Sequence, residues 1–314
     1  MTIFISGSVA IDTVMSCPAP FLLDAEQVSK QRLTTSYYVS NMQHVWGGCA
    51  ANIAYALRQL GGTPIVMATV GSDAGEYLKY FQQQGLSIEY IQSVPHHLTA
   101  KATIFSDSLG QQITGFYAGA MNEAHMQTAT MALTKHQPSW AIVSPDGKQA
   151  MLNRSIELAY TKIPFIADPG QAIPIMDKND LIVLMQGAAA IAVNEAEAVI
   201  LEHTLKQNVQ ELSYKIPVVV TLGDKGLCFW DKGLAYTLDA VKNIVAIDAT
   251  GCGDSLRGAW LYALSQGWSM LDGLRLGNLM GAYTVQYAGA QGYVVSLSDL
   301  QMLWHKHYDV PMPQ

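Results

Sequence analysis

A carboxylate stands inside a glycine-rich turn late in the chain. The run Asp-Ala-Thr-Gly-Cys-Gly-Asp occupies residues 248–254, between an apolar segment at residues 244–247 and a helical pattern at residues 255–265. Glycines let the backbone approach a ligand, and the free N–H groups of a helix N-terminus favour phosphate. Asp254 would repel a phosphate that was only held there, but it could accept a proton from a hydroxyl that attacks the phosphate. The run therefore predicts phosphoryl transfer to a small alcohol, where a strand leads into a helix.

Length and composition limit the classes of protein to consider. The chain has 314 residues, of which 50% are apolar and 14% charged, and this predicts one large α/β domain with at most a modest appendage. No apolar run reaches the ~18 residues that a membrane span needs. The first five residues resemble a strand rather than a signal peptide. A net charge of −7 disfavours nucleic acid as a partner.

The cysteines are scattered along the chain without metal-ligand spacing. Cys17, Cys49, Cys228 and Cys252 include no CxxC pair, which argues against a zinc site or a disulfide framework and favours a cytoplasmic location. We interpret Cys252 as a small residue in a tight turn rather than as a nucleophile, because no histidine is near it in sequence.

Strand-like and helix-like segments alternate along most of the chain. The predicted strands cover residues 2–6, 64–70, 141–144, 165–167, 190–193 and 218–222. The clearest helices cover residues 50–60 and 74–84, the second with Asp73 as its N-cap. This alternation predicts a mostly parallel sheet with helices on both faces, whose ligands bind at the carboxyl ends of the strands.

Two segments interrupt the alternation. Residues 13–45 lack a helical period, and residues 98–121 contain two strand-like runs around a turn at residues 107–110. We interpret both segments as one small β lid, inserted twice, which would exclude water from a phosphoryl transfer. The α/β body would then comprise residues 1–12, 46–97 and 122–314.

Four motifs together resemble those of the PfkB, or ribokinase-like, family of small-molecule kinases. They are Gly-Gly-Cys-Ala-Ala-Asn at residues 47–52, Asn-Glu-Ala-Glu at 194–197, Thr-Leu-Gly-Asp-Lys-Gly at 221–226 and the run at 248–254. The chain is most similar to the bacterial adenosine-kinase-type members. The resemblance implies a three-layer α/β/α sandwich with a mostly parallel central sheet and a small β-sheet lid.

The last motif departs from the family pattern at two positions, both occupied by small residues. Ala249 replaces the usual Thr, and Cys252 replaces the usual Ala. The resemblance implies that Asp254 is the general base. It also implies that the backbone N–H groups of Gly251, Cys252 and Gly253 form an anion hole for the transferring phosphoryl group.

The resemblance also implies the residues that bind the acceptor. Asp12, which follows Gly7 at the family's spacing, would accept hydrogen bonds from the acceptor's hydroxyl groups. Gly47 and Gly48 would let a sugar approach the backbone, and Asn52 would bind a sugar hydroxyl. An Asp that caps a turn and an ordinary loop-to-helix entry are the structural alternatives for these two motifs.

The nucleotide site is implied in the same way. Asn194, Thr221, Gly223, Gly226 and Asn278 would bind ATP, the last of them near the adenine. Glu197 would hold Mg²⁺ through a metal-bound water, or would simply belong to a capped helix start.

The positions of two basic side chains, a monovalent cation and the oligomeric state stay open. Arg257 could face the phosphates or lie on the surface, and Lys225 could do the same. Some relatives bind a monovalent cation such as K⁺. Some form dimers through their lids, so a homodimer is an open alternative here.

The acceptor is the least determined part of the prediction. Phe116, Tyr117, Met121 and Trp46 could form the flat apolar walls that a purine needs, or could pack the lid's own core. The stretches at residues 46–55 and 111–122 resemble those of bacterial adenosine-kinase-type members. The resemblance thus implies a nucleoside, adenosine first, whose 5′-hydroxymethyl group would be phosphorylated. A free sugar such as ribose or fructose is the alternative. A catalytically silent sensor and a metal-dependent hydrolase are weaker ones, the last because the chain lacks a His-rich ligand set beyond the pair His96-His97.

Overall fold

The computed structural model of the protein describes residues 1–21, 36–109 and 111–313. Residues 22–35 of the predicted lid and Gly110 of its predicted turn lie outside the described residues. None of the helices in the described part of the chain is long and apolar enough to cross a bilayer.

The described strands fall into two sheets. In chain order they are β1 (Thr2–Ser6), β2 (Ala10–Ser16), β3 (Asn41–Gly47), β4 (Thr63–Val70), β5 (Tyr90–Ser93), β6 (Lys101–Ser106), β7 (Gln112–Tyr117), β8 (Trp140–Val143), β9 (Phe165–Ala167), β10 (Ala190–Asn194), β11 (Val218–Thr221), β12 (Gly226–Asp231) and β13 (Leu234–Asp239).

The described α-helices alternate with these strands. They are α1 (Cys49–Gln59), α2 (Gly75–Gln83), α3 (Thr130–His136), α4 (Lys148–Thr161), α5 (Lys178–Met185), α6 (Glu195–Leu205), α7 (Val209–Ser213), α8 (Cys252–Ser265), α9 (Met270–Thr284) and α10 (Leu297–His307). Short 3₁₀ helices cover Gly119–Met126, Gly170–Ile175 and Gly223–Lys225.

The large sheet has the strand order β13-β12-β11-β10-β9-β8-β1-β4-β5, and all its pairs are parallel except those of β12 and β13. Side chains of β1 alternate between its two faces. Ile3 and Ile5 pack with α1 and α8, whereas Phe4 packs with α3, α4 and α5 on the other side. The sheet is therefore the middle of three layers, and the predicted α/β/α sandwich is confirmed.

The small sheet has the order β3-β2-β6-β7, with β2 antiparallel to β3 and parallel to β6. Its strands come from the two segments in which the sequence predicted a lid. The first residue of β2, Ala10, also bridges to Ala100 just before β6, so both insertions enter the sheet side by side. The predicted second, smaller sheet is therefore present.

The strand predicted before the glycine-rich run is wrong. Residues 244–247, which the structure describes in full, form no strand, and Val245 and Ile247 are exposed. The backbone N–H groups of Ile247 and Asp248 instead donate to the carbonyl of Val285 beyond α9. The run thus follows an irregular segment that is tied to a helix end rather than to a sheet.

The N-cap predicted for α2 is also wrong. The N-cap residue is Ala74, and Asp73 accepts hydrogen bonds from the backbone N–H and hydroxyl of Thr99, at 2.7 and 2.6 Å. Because Thr99 lies just before β6, Asp73 ties the body to the base of the small sheet instead of capping a helix.

Candidate active site

The turn before α8 requires a glycine. Gly251 is the N-cap residue with a φ of 75°, and a Cβ atom there would lie only 2.4 Å from the Cβ of Ala290. A larger residue would therefore displace the turn and the helix N-terminus. Since α8 begins at Cys252, Asp254 lies within the first helical turn rather than before it.

Backbone donors are available at this helix N-terminus. Among the described residues, the N–H groups of Gly251, Gly253 and Asp254 have no acceptor, whereas that of Cys252 donates to the carbonyl of Ala249 at 3.2 Å. Free N–H groups and the helix dipole together favour an anion at this point. The predicted anion hole stays a prediction, and the geometry gives Gly251 and Gly253 the larger part in it.

The Cys252 side chain packs into the helical layer. Its sulfur accepts a hydrogen bond from the hydroxyl of Thr284 on α9, at 3.6 Å, and burial raises the pKa of the thiol. A thiol with a raised pKa is a poor nucleophile at neutral pH. This fits the interpretation of Cys252 as a small packed residue.

Asp254 is held by a residue from the other end of the chain. Its Oδ2 atom accepts a hydrogen bond from Nδ2 of Asn52 on α1, at 2.9 Å. Burial raises the pKa of Asp254, and the hydrogen bond from Asn52 opposes this rise. The structure thus brings two predicted site residues together, with the amide of Asn52 turned to the carboxylate.

Arg257 lies beneath the turn that contains Gly251 and Gly253, and not on the surface. Its guanidinium forms a buried bidentate ion pair with Asp168 after β9, with Nη2–Oδ1 and Nε–Oδ2 distances of 2.7 and 2.6 Å. Nη1 donates to the carbonyl of Gly253 at 3.0 Å. The surface alternative for Arg257 is therefore wrong, and its side chain braces the turn from below.

Asp12 is the corresponding carboxylate on the lid side. It lies in the middle of β2, where its Oδ1 atom accepts a hydrogen bond from the backbone N–H of Ala102, at 2.9 Å. A Cβ atom on Gly47 would lie 2.6 Å from Oδ2 of Asp12, so only glycine leaves this oxygen accessible. Burial raises the pKa of Asp12, and the Ala102 N–H opposes it. Asp12 is thus a strand residue with one uncommitted oxygen, not a turn cap.

Gly48 has a structural reason of its own to be glycine. Its φ is 93°, and a Cβ atom would lie 2.5 Å from the carbonyl oxygen of Ser8 and 2.6 Å from the backbone nitrogen of Ala10. Gly48 therefore lets α1 begin against the β1–β2 connection. Its predicted contact with a sugar stays a prediction.

The register of the small sheet separates the aromatic candidates. Phe116 pairs with Ala102, whose N–H bonds Asp12, and Asp12 pairs with Val45, so these four residues share one face. A Cβ atom on Gly289, whose N–H binds Asp248, would lie 3.5 Å from Val45, so this face meets the body beside the glycine-rich run.

Trp46 follows Val45 on β3, and Tyr117 follows Phe116 on β7. Both therefore project from the opposite face of the small sheet. The Trp46 ring stacks on Tyr77 of α2, with a centroid distance of 4.7 Å. Phe116 is 51% exposed and remains the aromatic candidate on the Asp12 side. Met121, in the 3₁₀ helix after β7, is partly buried, and its carbonyl lies 2.9 Å from the Cβ position of Gly147 beyond β8.

Asn194, predicted to bind nucleotide, is the last residue of β10, and Glu197, predicted to hold the metal, lies at the start of α6. Asn194 and Glu197 form a capping box, with both hydrogen bonds at 2.8 Å. The contacts between these two residues are therefore those of a capped helix start. Glu197 nevertheless lies near the site, because its charge acts to raise the pKa of Asp168 and of Asp254. One Glu197 oxygen is engaged by the cap, which leaves the other for a metal-bound water.

The turn after β11 combines open and packed glycines. A Cβ atom on Gly223 would meet nothing within 4 Å, whereas one on Gly226 would lie 2.1 Å from the carbonyl of Leu238. The Thr221 hydroxyl is 3.5 Å from the carbonyl of Val193. Lys225 is exposed, with Nζ 3.9 Å from Glu195, so it lies on the surface here.

Asn278 lies away from this turn, at the junction of α9, β13 and the C-terminal segment. Its Nδ2 atom donates to the carbonyl of Asp239 at 2.8 Å and to the hydroxyl of Tyr308 at 3.0 Å. Both amide donors are therefore committed within the protein. Its proximity to adenine stays a prediction.

One group of potential metal ligands lies outside the site. Within the described residues, the ligand atoms of His96, His97 and Glu123 lie within 4.8 Å of one another, at the base of the small sheet. The sequence singled out the histidine pair but not its acidic neighbour, which is 26 residues further along the chain.

Three contributors to the site were not predicted in these roles. Asp168, Tyr77 and Gln291 belong to none of the four motifs. Gln291 donates to Asn52, and Tyr77 accepts a hydrogen bond from Gln291. No local pattern identifies such residues, because their roles depend on contacts between distant segments.

Backbone donors for a phosphoryl group and a carboxylate for a hydroxyl proton, gathered at the carboxyl ends of parallel strands, are what a phosphotransferase with an alcohol acceptor requires. The comparisons agree: a model of the pfkB family carbohydrate kinases matches residues 9–296, so the chain belongs to the PfkB family.

Relatives with known names include both nucleoside and sugar kinases. The nucleoside kinase of Methanocaldococcus jannaschii is 25% identical, covering 82% of this chain and 84% of that protein. The ribokinase of Haemophilus influenzae is 26% identical, covering 97% and 99%. A solved structure of Burkholderia thailandensis nucleoside kinase with inosine is 34% identical, with a TM-score of 0.88 over 99% of this chain and 100% of that one. A second structure of that kinase is a complex with ADP-inosine. The chain is accordingly a nucleoside or sugar kinase of the ribokinase fold.

Proposed function

We propose that this protein uses ATP to phosphorylate the 5′-hydroxymethyl group of a purine nucleoside. The observation that carries the proposal is the placement of Phe116 on the same lid face as Asp12, turned to the body. An apolar ring beside a carboxylate suits a ligand with a flat base and a sugar with vicinal hydroxyls. The similarity to a kinase crystallised with inosine supports a purine, so inosine joins adenosine as a candidate.

The chemistry follows from the positions of Asp254 and the α8 N-terminus. The carboxylate of Asp254 takes the proton of the 5′-hydroxyl as the hydroxyl oxygen attacks the γ-phosphorus of ATP. A new P–O bond forms, the bond between the γ-phosphorus and the β–γ bridging oxygen breaks, and ADP leaves. The N–H groups of Gly251 and Gly253 bind the charge that develops on the phosphoryl oxygens, where one donor is worth roughly 3 kcal/mol.

A divalent ion fits the acidic end of the site. Glu197 would hold Mg²⁺ through water, and bound Mg²⁺ would neutralise charge on the ATP phosphates. The prediction of a monovalent cation stands beside it without an assigned ligand set. We also place the protein in the cytoplasm, an expectation that its four free cysteines support.

A sugar acceptor is the second candidate. It is favoured by the ribokinase relative that matches nearly the whole chain. A homodimer through the small sheet remains a proposal, supported by the position of β3 and β7 at the edges of that sheet.

An ADP-release screen with Mg-ATP separates these candidates. It compares adenosine, inosine, guanosine, cytidine, ribose and fructose with wild-type protein, Phe116→Ala and Asp254→Asn. We expect purine nucleosides to give the highest kcat/KM, Phe116→Ala to raise their KM more than that of ribose, and Asp254→Asn to lose turnover by about 100-fold or more. A preference for ribose with an indifferent Phe116→Ala would assign the sugar kinase. No response to any acceptor would favour a silent sensor, and normal turnover by Asp254→Asn would refute the base assignment.

A further inference from the structure

A buried line of hydrogen bonds connects the lid to Asp254. The Tyr77 hydroxyl donates to the carbonyl of Gly47 at 2.8 Å. Nε2 of Gln291 donates both to the Tyr77 oxygen and to Oδ1 of Asn52, each at 2.9 Å. Nδ2 of Asn52 then donates to Oδ2 of Asp254, also at 2.9 Å. The line joins β3, α2, the segment after α9, α1 and α8.

The direction of every bond in this line is determined by its first member. A carbonyl can only accept, so Tyr77 must spend its single proton on Gly47, and its oxygen must then accept from Gln291. Gln291 must therefore present its NH₂ group, and the same NH₂ group faces Asn52. That leaves Asn52 with its oxygen towards Gln291 and its NH₂ group towards Asp254. Neither amide can be reversed without placing two acceptors against each other.

Burial makes such a reversal costly. Tyr77 is 1% exposed, Asn52 6% and Gln291 8%. A mismatched pair in this environment would lose about 1–3 kcal/mol for each unsatisfied group, without water to replace the partner. The line therefore keeps a donor on Oδ2 of Asp254, and the carboxylate also receives a hydrogen bond from the thiol of Cys49 at the start of α1.

We propose that Tyr77 and Gln291 are positioning residues that act through Asn52 to hold Asp254 as an oriented hydrogen-bond acceptor, ready to take the substrate proton. This inference rests on the proposed role of Asp254 as general base. The line starts at Gly47, the last residue of β3, beside the uncommitted oxygen of Asp12. The acceptor cradle and the base therefore share one set of hydrogen bonds.

The test compares four variants in the assay of the proposed activity. Gln291→Leu removes both donors, and Gln291→Glu replaces them with acceptors at nearly the same volume. Tyr77→Phe removes the anchor that sets the direction. Tyr80→Phe is the matched control, because Tyr80 lies on the same helix and its hydroxyl has no hydrogen bond among the described residues. Circular dichroism and thermal unfolding establish that each variant is folded.

The decisive measurement is the pH profile of kcat/KM for the acceptor. Cys49, Arg257 and Glu197 also act on the pKa of Asp254, and none of the four variants changes them. When the line is broken, Asn52 can turn its oxygen to Asp254, which favours the protonated carboxyl group. We therefore expect the acid limb to move to higher pH in Gln291→Leu, further in Gln291→Glu and least in Tyr77→Phe. At neutral pH kcat should fall by about 10- to 100-fold in the Gln291 variants, a part of what a general base contributes. KM for ATP and the Tyr80→Phe profile should not change.

Each other outcome overturns a different statement. Folded Gln291 variants with a wild-type acid limb refute the inference, even if kcat falls, because a purely structural role would lower kcat without moving the limb. If the Gln291 variants do not fold, a wild-type limb in Tyr77→Phe refutes it instead. Normal turnover by Asp254→Asn, measured beside them, removes the base assignment itself and not only the line behind it.

Discussion

Replacing Arg257 tests how much the turn at Gly251 and Gly253 depends on the buried ion pair beneath it. Asp168 and Arg257 are nearly inaccessible, and their side chains meet at 2.7 and 2.6 Å. Arg257→Leu leaves a buried carboxylate without its cation, which costs roughly 3–5 kcal/mol. It also removes the donor from the carbonyl of Gly253, which costs about 1 kcal/mol more. At about 2 °C per kcal/mol for a chain of this size, we expect Tm to fall by roughly 8–12 °C.

The double variant separates the ion pair from the packing around it. Asp168→Leu with Arg257→Leu removes both charges, so it should cost less than the sum of the two single variants and can cost less than either. Lys79→Leu is the control, because Lys79 pairs with Glu76 at the surface, where such a pair contributes little to stability.

The stability loss in Arg257→Leu should also depend on pH. Burial raises the pKa of Asp168 to about 7 even though Arg257 opposes the rise. Without Arg257 the pKa of Asp168 rises further, so the unpaired carboxyl group is protonated at low pH. The loss of stability in Arg257→Leu should therefore be smaller at pH 5 than at pH 8. Urea unfolding at both values measures it, and additive single-variant losses, or an equal loss at the two pH values, would refute the account.

Three further variants address the lid, a glycine and a buried acid. Asp12→Ala should raise the acceptor's KM by roughly 10- to 100-fold, the worth of hydrogen bonds to a charged group, and leave that of ATP unchanged; an unchanged acceptor KM would place the sugar elsewhere. Gly48→Ala should reduce Tm strongly, because its Cβ would overlap the β1–β2 connection, whereas Gly75→Ala, with open space around it, should be neutral; equal Tm values would contradict the packing argument. Burial raises the pKa of Asp146 from 3.8 to about 7. Its contribution to the free energy of unfolding therefore falls as pH rises from about 4 to 7, by up to about 4 kcal/mol. Asp146→Asn should make urea-unfolding stability less dependent on pH over that range, and an unaltered slope would exclude Asp146 as the source.

The strands of the large sheet were predictable because they are buried on both faces. Their apolar runs are continuous, and residues 2–6 and 165–167 match β1 and β9 from end to end. Residues 244–247 carry the same kind of run but form no strand, although they are part of the described chain. The N–H groups of Ile247 and Asp248 bond to the carbonyl of Val285 instead of to a strand, which an apolar run alone does not reveal.

The site was predictable only as far as its motifs extend. Asp254 and the glycines around it stand in one short run, so a local pattern reveals them. Gln291 and Tyr77 are 214 residues apart and meet only in the folded chain. Arg257 left two alternatives open, because nothing near it in sequence shows that Asp168 neutralises its charge.

The interior position of β1 in the large sheet has a consequence for synthesis. β1 is made before the other described strands, yet its neighbour β8 ends at Val143, and Asn52 meets Asp254 across 202 residues. The face of α1 that packs on α8 must therefore remain uncovered for most of translation. Chains released before α8 is made would expose apolar surface and lack Asp254. We thus expect the nascent protein to depend on chaperones most strongly in the interval between completion of β8 and emergence of α8.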